Sequence, residues 1–313
     1  MINKNSKIYV AGHKGMVGSA IIRKLYDSGF KNVITRTRQQ LDLLDQKLVH
    51  DFLSKNKPDY TFVAAAKVGG IHANNTYRAD FIYENLTIAS NLIGGSHKAD
   101  INKLCFLGSS CIYPKLCEQP MKEEYLLSGK LEETNEPYAI SKIAGIKLCE
   151  NFNRQYNRSY ISLMPTNLYG PNDNYHPENS HVLPALMKRF HEATLNNHKE
   201  LTIWGDGSPR REFLHVNDLA EACIFLMVND YKGPLLNIGS NEEVSIKSLA
   251  LILKKIIGYN GKLFFDISKP NGMPRKLMDS SSINKLGWSP KITLNKGIQL
   301  TYKDFLSMHQ NEI

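Results

Sequence analysis

The chain has 313 residues, of which 42% are hydrophobic and 22% charged, values that are ordinary for a soluble globular protein of one large domain or two smaller ones. No apolar run approaches the length of a bilayer span and no signal-peptide core is visible, so we predict a cytoplasmic protein that does not enter a membrane. The net charge is +9, but the Lys and Arg residues are scattered among carboxylates, which disfavours a nucleic-acid binder and suits small polyanions such as nucleotide diphosphates.

Apolar segments alternate with helical patterns through the first half of the chain. KIYVAG is an apolar strand that runs into glycines, and VGSAIIRKLYDSG carries apolar residues at helical spacing. The same reasoning predicts strands at 7–12, 32–38, 59–67, 103–110 and 159–165, and helices at 17–29, 45–56, 75–98 and 137–156. Strands that are apolar throughout indicate a parallel sheet covered by helices on both faces.

The pattern loosens after residue 168. YGPNDNYHPENSH is rich in Pro, Asn and Gly and predicts a loop, and shorter elements follow, including a strand at 234–240 and a helix near 245–258. We predict an α/β fold with a doubly wound parallel sheet in residues 1–168, to which the chain returns near 213–240. A smaller α/β domain occupies most of 169–313, and the ligand cleft is expected between the two domains.

Three glycines follow the first predicted strand directly. Gly12, Gly15 and Gly18 stand three residues apart, between that strand and the first helix. This spacing allows a tight turn and lets a pyrophosphate approach the helix N-terminus. A plain strand-to-helix turn would contain the same glycines, but their position at the first junction favours a dinucleotide and a Rossmann-type sheet.

The end of the second strand discriminates between the two nicotinamide cofactors. An NAD site usually offers Asp or Glu to the ribose hydroxyls, whereas an NADP site offers Arg to the 2′-phosphate. TRTR supplies Arg36 and Arg38, and no acid occurs between these arginines and Asp42. The sequence therefore favours NADP, although two solvated arginines would give the same pattern.

A tyrosine and a lysine stand four residues apart in NEPYAISKIAG. Tyr138 and Lys142 share one face of the predicted helix. A tyrosine hydroxyl can protonate a carbonyl oxygen while hydride arrives at the carbon, and a nearby ammonium lowers the pKa of that hydroxyl. Ser109, at the end of another strand, is placed to hydrogen-bond the same carbonyl. A Tyr-x-x-x-Lys pair alone is common, but its combination with the glycine turn is much more specific.

The five cysteines are an odd number, and none forms a CxxC pair. Neither a disulfide framework nor a metal site is therefore predicted. Cys111, in GSSCIYP, is open to three interpretations: a disulfide half, which is the weakest, a buried core thiol, or a thiol that transfers protons. The residues alone favour the buried thiol.

Longer stretches resemble a known family. The glycine turn, Ser109 and Tyr138-x-x-x-Lys142 resemble the extended short-chain dehydrogenase/reductases. More narrowly, the chain is similar to the GDP-L-fucose synthase family, nearly end to end, in AGHKGMVGSAI, AAAKVGGIHANN, FLGSSCIYPK, NEPYAISKIAGIKLCE, MPTNLYGPNDNYHPENSHV and REFLHVND. The resemblance implies a homodimer that uses NADPH. It would convert GDP-4-keto-6-deoxy-D-mannose to GDP-L-fucose by epimerising C3 and C5 and then reducing the C4 ketone.

The resemblance also implies roles for individual residues. Tyr138 would be the reductive acid with Lys142 as its partner, and Ser109 would polarise the ketone. Cys111 would be the base and His181 the acid of the epimerisation. The cofactor would contact Gly12, Gly15, Met16, Val17, Gly18, Arg36, Arg38, Leu107, Gly108, Lys142, Pro165, Asn167, Leu168 and His181. The GDP-sugar would contact Arg189, Trp204, Arg211 and Asp279. The alternative roles are surface charges for the two arginines, a second-domain core residue for Trp204 and a helix cap for Asp279.

Two other functions stay open from the sequence. The second half of the chain shapes the sugar pocket and is the more variable half, so a C4 reductase of a related GDP-4-keto sugar, such as a GDP-heptose, without epimerisation is the first alternative. The second is a regulator that binds NADP without turning it over. Such a regulator would be expected to lose the tyrosine or the lysine, and this chain has both.

Overall fold

The computed structural model describes residues 2–177, 179–233, 235–269 and 271–308. The strands are β1 Ile8–Ala11, β2 Val33–Ile34, β3 Tyr60–Val63, β4 Lys103–Leu107, β5 Ser159–Pro165, β6 Asn167–Tyr169, β7 Glu200–Trp204, β8 Arg210–His215, β9 Leu236–Ile238, β10 Glu243–Ser245, β11 Lys262–Asp266 and β12 Arg275–Lys276. The helices are α1 Met16–Asp27, α2 Gln46–Asn56, α3 Ile71–Thr76, α4 Arg78–Lys98, α5 Glu136–Tyr156, α6 Val182–Leu195, α7 Val216–Val228, α8 Ile246–Ile257, α9 Ser281–Lys285 and α10 Leu294–Met308. In the part of the chain that is described, no helix is long and apolar enough to cross a membrane.

A six-stranded parallel sheet forms the larger layer, in the order β2-β1-β3-β4-β5-β9. Helices cover both faces of this sheet, and successive side chains of a strand alternate between the two faces. Ile8 and Val10 pack into the core beneath α1 and α7. Tyr9 and Ala11 pack into a second core beneath α2, α4 and α5. This confirms the predicted α/β fold with a doubly wound parallel sheet.

A smaller layer lies beyond β5. It contains a sheet of β6, β8, β10 and β12 and a parallel pair of β7 and β11. Helices α6, α8 and α10 enclose a third core, with Phe190, Leu253 and Phe305 among its buried side chains. Strand β9 lies in the larger sheet beside β5. The division at residue 168 stays a prediction.

Several predicted elements are shorter than expected. The strand predicted at 32–38 is only two residues long, and the strand predicted at 103–110 ends at Leu107, followed by a 3₁₀ helix at Ser110–Ile112. The helix predicted at 75–98 is interrupted at Tyr77, whose φ of −105° and ψ of 43° break the helical path. The strand predicted at 234–240 covers Leu236–Ile238, and Pro234 lies outside the described residues.

Candidate active site

The predicted site residues come from the carboxyl ends of three strands of the larger sheet and from one helix. Gly12 follows β1, Ser109 lies just beyond β4, and Asn167 lies just beyond β5. Because parallel strands end at the same edge of a sheet, these residues face one crevice, where open α/β sheets bind their ligands. Helix α5 carries Tyr138 and Lys142 toward the end of β4.

The glycine turn is sterically specific. Gly12 has a φ of +81°, and its carbonyl accepts a hydrogen bond of 3.1 Å from the N–H of Gly15. A Cβ on Gly18 would lie 2.2 Å from the Gly12 oxygen, so only glycine lets α1 pack this close to the turn. Gly15 precedes the first residue of α1 and caps it with no side chain. The N–H groups of the first helical turn are therefore open to a pyrophosphate.

The residues after β2 fit an NADP site. Arg36 and Arg38 are exposed, and Arg36 donates a 2.7 Å hydrogen bond to the Thr35 carbonyl while lying 5.2 Å from the centre of the Phe52 ring. The first acid after these arginines, Asp42, accepts a hydrogen bond of 3.0 Å from the Leu44 N–H within its own turn. The two guanidinium groups are thus the charges available to a ribose phosphate.

Lys142 is buried between α5 and β4. Its Nζ donates a 2.8 Å hydrogen bond to the Leu107 carbonyl and lies 5.6 Å from the centre of the Tyr138 ring. Burial lowers the pKa of Lys142 to about 8, and the nearby Cys111 acts in the opposite direction. Burial also raises the pKa of Tyr138; Cys111 adds to this, and a hydrogen bond with Ser109 opposes it. The structure therefore brings together all three residues predicted to reduce a ketone, with the thiol beside them.

Cys111 sits in the 3₁₀ helix that follows β4. The Ser109 hydroxyl caps this helix and accepts a 3.4 Å hydrogen bond from the Cys111 N–H. The thiol is free and half-buried. Burial raises its pKa, and the charges of Lys276 and Lys142 and the hydrogen bond with Ser109 oppose this rise. Desolvation of the thiol therefore outweighs the two ammonium groups in setting the pKa of Cys111.

His181 is the residue before α6 and makes no capping hydrogen bond with its side chain. It is exposed. Desolvation by the surrounding protein lowers the pKa of His181, and the charge of Lys276 lowers it further. Sequence reasoning missed Lys276, although it lies only three residues before the predicted substrate residue Asp279. Lys276 lies in the two-residue strand β12, which is too short to be recognised from the sequence. The strand turns the side chains of Arg275 and Lys276 to opposite sides.

The remaining cofactor residues line the ends of β4 and β5. The Gly108 N–H donates a 2.9 Å hydrogen bond to the Leu163 carbonyl, which ties the two strand ends together. Pro165 is the last residue of β5. The amide of Asn167 donates a 2.8 Å hydrogen bond to the Glu212 carbonyl, and Leu168 packs against the core beneath α1 and α7.

The predicted substrate residues lie in the smaller layer. Arg189 donates a hydrogen bond to the Thr202 carbonyl. Trp204, at the end of β7, is 64% exposed, so it is not a core residue. Arg211 pairs in register with Lys276 between β8 and β12, and Lys276 and Cys111 line the same small cleft. The Asp279 carboxylate accepts a 2.9 Å hydrogen bond from the Ser281 N–H at the start of α9, as a helix cap would.

Comparison with known proteins agrees with this architecture. The model of the NAD dependent epimerase/dehydratase family matches residues 8–239, more than half of the chain. The chain belongs to this family. The match to the NAD dependent epimerase/dehydratase family includes the glycine turn, the Tyr138–Lys142 pair and Cys111.

Three members illustrate the range of related proteins. GDP-L-fucose synthase 1 of Arabidopsis thaliana is 57% identical over 307 residues, 98% of this chain and 95% of that protein. GDP-L-fucose synthase of Escherichia coli (strain K12) is 55% identical over 309 residues, 96% of each. The solved structure of a GDP-mannoheptose C4 reductase from Campylobacter jejuni with NADP bound is 42% identical, with a TM-score of 0.90 over 97% of this chain and 99% of that one.

Proposed function

We propose that this chain is an NADPH-dependent 3,5-epimerase and 4-reductase that converts GDP-4-keto-6-deoxy-D-mannose to GDP-L-fucose. The observation that carries the proposal is the position of Cys111 beside the three reductive residues, in one crevice. Epimerisation needs a base beside the ketone, and a thiolate can serve as that base. Identity of 55% to the GDP-L-fucose synthase of Escherichia coli agrees with this choice of substrate.

The cofactor is NADPH, which supplies a hydride when it is bound. The glycine turn and the open N-terminus of α1 would hold its pyrophosphate, and Arg36 and Arg38 would hold its 2′-phosphate. Leu107, Gly108 and Pro165 would line the nicotinamide end, where β4 and β5 finish. The site of the solved Campylobacter jejuni reductase holds NADP, in agreement with this assignment.

Reduction at C4 uses the three residues around Leu107. The Ser109 hydroxyl would donate to the ketone oxygen and hold it against Tyr138. Tyr138 would give its phenolic proton to that oxygen as hydride reaches the carbon. The Lys142 ammonium, held by the Leu107 carbonyl at 2.8 Å, stabilises the phenolate left behind. The proton then returns to Tyr138 from solvent.

Epimerisation uses the acidity that the same ketone gives to its neighbouring carbons. Cys111, as thiolate, would remove a proton from C3 or C5 while the electron pair moves to the C4 oxygen. Ser109 and Tyr138 would stabilise this enolate through the hydrogen bonds that later serve reduction. His181 would return a proton from the opposite face of the ring.

The GDP moiety would extend into the smaller layer. Arg189 and Arg211 offer guanidinium groups to the pyrophosphate. The exposed ring of Trp204 offers a stacking surface, and Asp279 can accept from a donor on the base or sugar.

We also propose that the enzyme is a homodimer in the cytoplasm, assembled through α4 and α5. These helices pack against each other on the larger sheet, and their outer faces expose Tyr83 at 68% and Ile140 at 40%. Burying such side chains favours association. Tyr83→Glu should convert a dimer to a monomer on size-exclusion chromatography with light scattering, and a parent protein that elutes as a monomer would contradict the proposal.

The activity is tested with purified protein, NADPH and GDP-4-keto-6-deoxy-D-mannose. We expect NADPH consumption and a product that NMR identifies as GDP-L-fucose. A second candidate, favoured by the likeness to the Campylobacter jejuni reductase, is C4 reduction of a related GDP-4-keto-heptose without epimerisation. Faster turnover of that heptose, with C3 and C5 unchanged in the product, would replace the first assignment by the second.

A further inference from the structure

A small cleft opens directly beside the Cys111 thiol. Its lining includes Cys111, Glu132, Asn135 and Lys276, which come from three different parts of the chain. Lys276 is half-buried there. From outside the Tyr138–Lys142 helix, the cleft therefore brings the half-buried Lys276, the exposed Lys115 and the Glu132 carboxylate to the side of Cys111.

Backbone contacts on both sides of Lys276 fix its side chain in this cleft. Strand β12 pairs with β8, with Arg275 opposite Arg210 and Lys276 opposite Arg211. Arg275 turns outward and its Nε donates a 2.8 Å hydrogen bond to Glu243, so the next side chain, Lys276, turns inward. Just beyond β12, the Met278 N–H donates a 3.1 Å hydrogen bond to the buried Glu212 carboxylate.

Lys276 lies within electrostatic reach of both predicted proton-transfer groups. Its charge is the largest of the influences that lower the pKa of Cys111, ahead of the Ser109 hydrogen bond and the charge of Lys142, against the raising effect of burial. It also lowers the pKa of His181, after the effect of burial. Burial lowers the pKa of Lys276 itself and the charge of Arg211 adds to this, whereas Cys111, Glu132 and Cys117 oppose it.

We propose that Lys276 is a positioning residue for the epimerisation, whose ammonium favours the thiolate form of Cys111 against the cost of its burial and makes His181 a stronger acid. This inference rests on the proposed function of Cys111 and His181. The proton leaves the sugar carbon for sulfur and its electron pair moves to the C4 oxygen; His181 then protonates the carbon from the other face. Lys276 keeps its own protons throughout. Solvent takes the proton from Cys111 and restores the one on His181.

Alkylation of the substrate-free protein tests the Lys276–Cys111 pair without any turnover. The rate of iodoacetamide addition to Cys111 is followed against pH by peptide mass spectrometry, which separates it from the half-buried Cys117. Near neutral pH, Lys276→Met should slow the alkylation of Cys111 by roughly tenfold. This is the order of magnitude expected when one positive charge is removed from close range in a partly desolvated cleft. The profile of this variant should also move to higher pH. Lys276→Arg should restore most of the rate.

Arg275→Met is the matched control because it removes one positive charge from the same strand on the outward side. It should leave the alkylation profile unchanged. An unchanged profile in Lys276→Met, or an equal loss in Arg275→Met, would overturn the proposal; the first would point to Lys276 as a contact for the substrate diphosphate alone. If Lys276→Met does not bind NADPH and is therefore misfolded, Lys276→Gln takes its place with the same readings.

Deuterium exchange at C3 and C5 separates this proposal from the proposed function. With NADP⁺ present, Lys276→Met should lower the maximal exchange rate more than it raises the KM, since the lost charge acts on sulfur rather than on substrate binding. If the parent protein alkylates in a Lys276-dependent way but exchanges no deuterium, the charge pair stands and the epimerase assignment falls.

Discussion

Replacement of Lys142 by methionine should abolish reduction without destabilising the protein at neutral pH. Lys142 is 5% exposed, and burial lowers its pKa from 10.5 to about 8. Holding this residue protonated in the fold at pH 7 therefore costs free energy. Methionine has a similar length and no charge, so it removes that cost together with the catalytic ammonium.

The size of the effect follows from two opposing contributions. A pKa lowered from 10.5 to about 8 corresponds to about 3 kcal/mol of destabilisation at pH 7. Against this, the variant leaves the Leu107 carbonyl without the hydrogen bond from Nζ, which costs about 1–3 kcal/mol. We therefore expect Lys142→Met to be more stable than the parent by about 0–2 kcal/mol at pH 7.

The pH dependence gives the sharper test. The unfolded lysine keeps its proton up to its ordinary pKa, whereas the folded one releases it near pH 8, so the folded state binds fewer protons between the two values. The parent protein therefore gains stability as pH rises through this window, and the variant does not. The advantage of Lys142→Met should narrow by about 1 kcal/mol between about pH 7 and pH 9.

Urea unfolding of the cofactor-free proteins, followed by fluorescence at several pH values, measures this difference. Lys147→Met is the control, since it removes a half-exposed lysine from the same helix, where it pairs with Glu150 at 2.8 Å. That control should show no comparable change with pH. An advantage of Lys142→Met that stays constant or widens with pH would refute the reasoning, as would a loss of more than about 3 kcal/mol at pH 7.

Three further substitutions test the cofactor and ketone sites. Gly18→Ala places a Cβ 2.2 Å from the Gly12 oxygen, so we expect a lower melting temperature and NADPH binding weakened by at least roughly tenfold. In the control Gly15→Ala, the new Cβ would lie 3.5 Å from the same oxygen, so this variant should have the melting temperature of the parent. Equal melting temperatures for all three proteins would contradict this prediction. Arg36→Ala should raise the KM for NADPH more than that for NADH, and equal use of both cofactors by the parent would refute the NADP assignment. Tyr138→Phe should lower reduction by roughly a thousandfold while NADPH fluorescence titration shows unchanged binding, and near-parental NADPH oxidation would identify another acid.

The sequence predicted the larger sheet well because its strands are apolar on both faces. Ile8, Tyr9, Val10 and Ala11 are all fully buried, and such a run is distinctive in a sequence. The second strand was overestimated for the opposite reason. The β-branched residues in NVITRTR favour a strand, but only Val33 and Ile34 find a partner in β1, so the arginines after them extend into solvent.

Residue spacing alone predicted the proximity of only one pair in the candidate site, and most of the other predicted residues came from the family resemblance. Tyr138 and Lys142 share a helix face, and their spacing alone places them together. Lys276 reaches Cys111 from more than 150 positions away along the chain, through a two-residue strand that periodicity does not reveal. The rise in the pKa of Cys111 was also beyond the sequence, because desolvation depends on the packing of distant segments.

The central claim is that Cys111 and His181 epimerise the sugar beside the ketone that Tyr138 later protonates. It is tested most directly by incubating the enzyme with GDP-4-keto-6-deoxy-D-mannose and NADP⁺ in deuterated water, where reduction cannot follow, and reading deuterium at C3 and C5 by NMR and mass spectrometry. We predict exchange at both carbons, suppressed in Cys111→Ser and His181→Asn and largely retained in Tyr138→Phe. A parent enzyme that exchanges neither hydrogen yet reduces a pre-epimerised ketone would contradict the account and establish a C4 reductase.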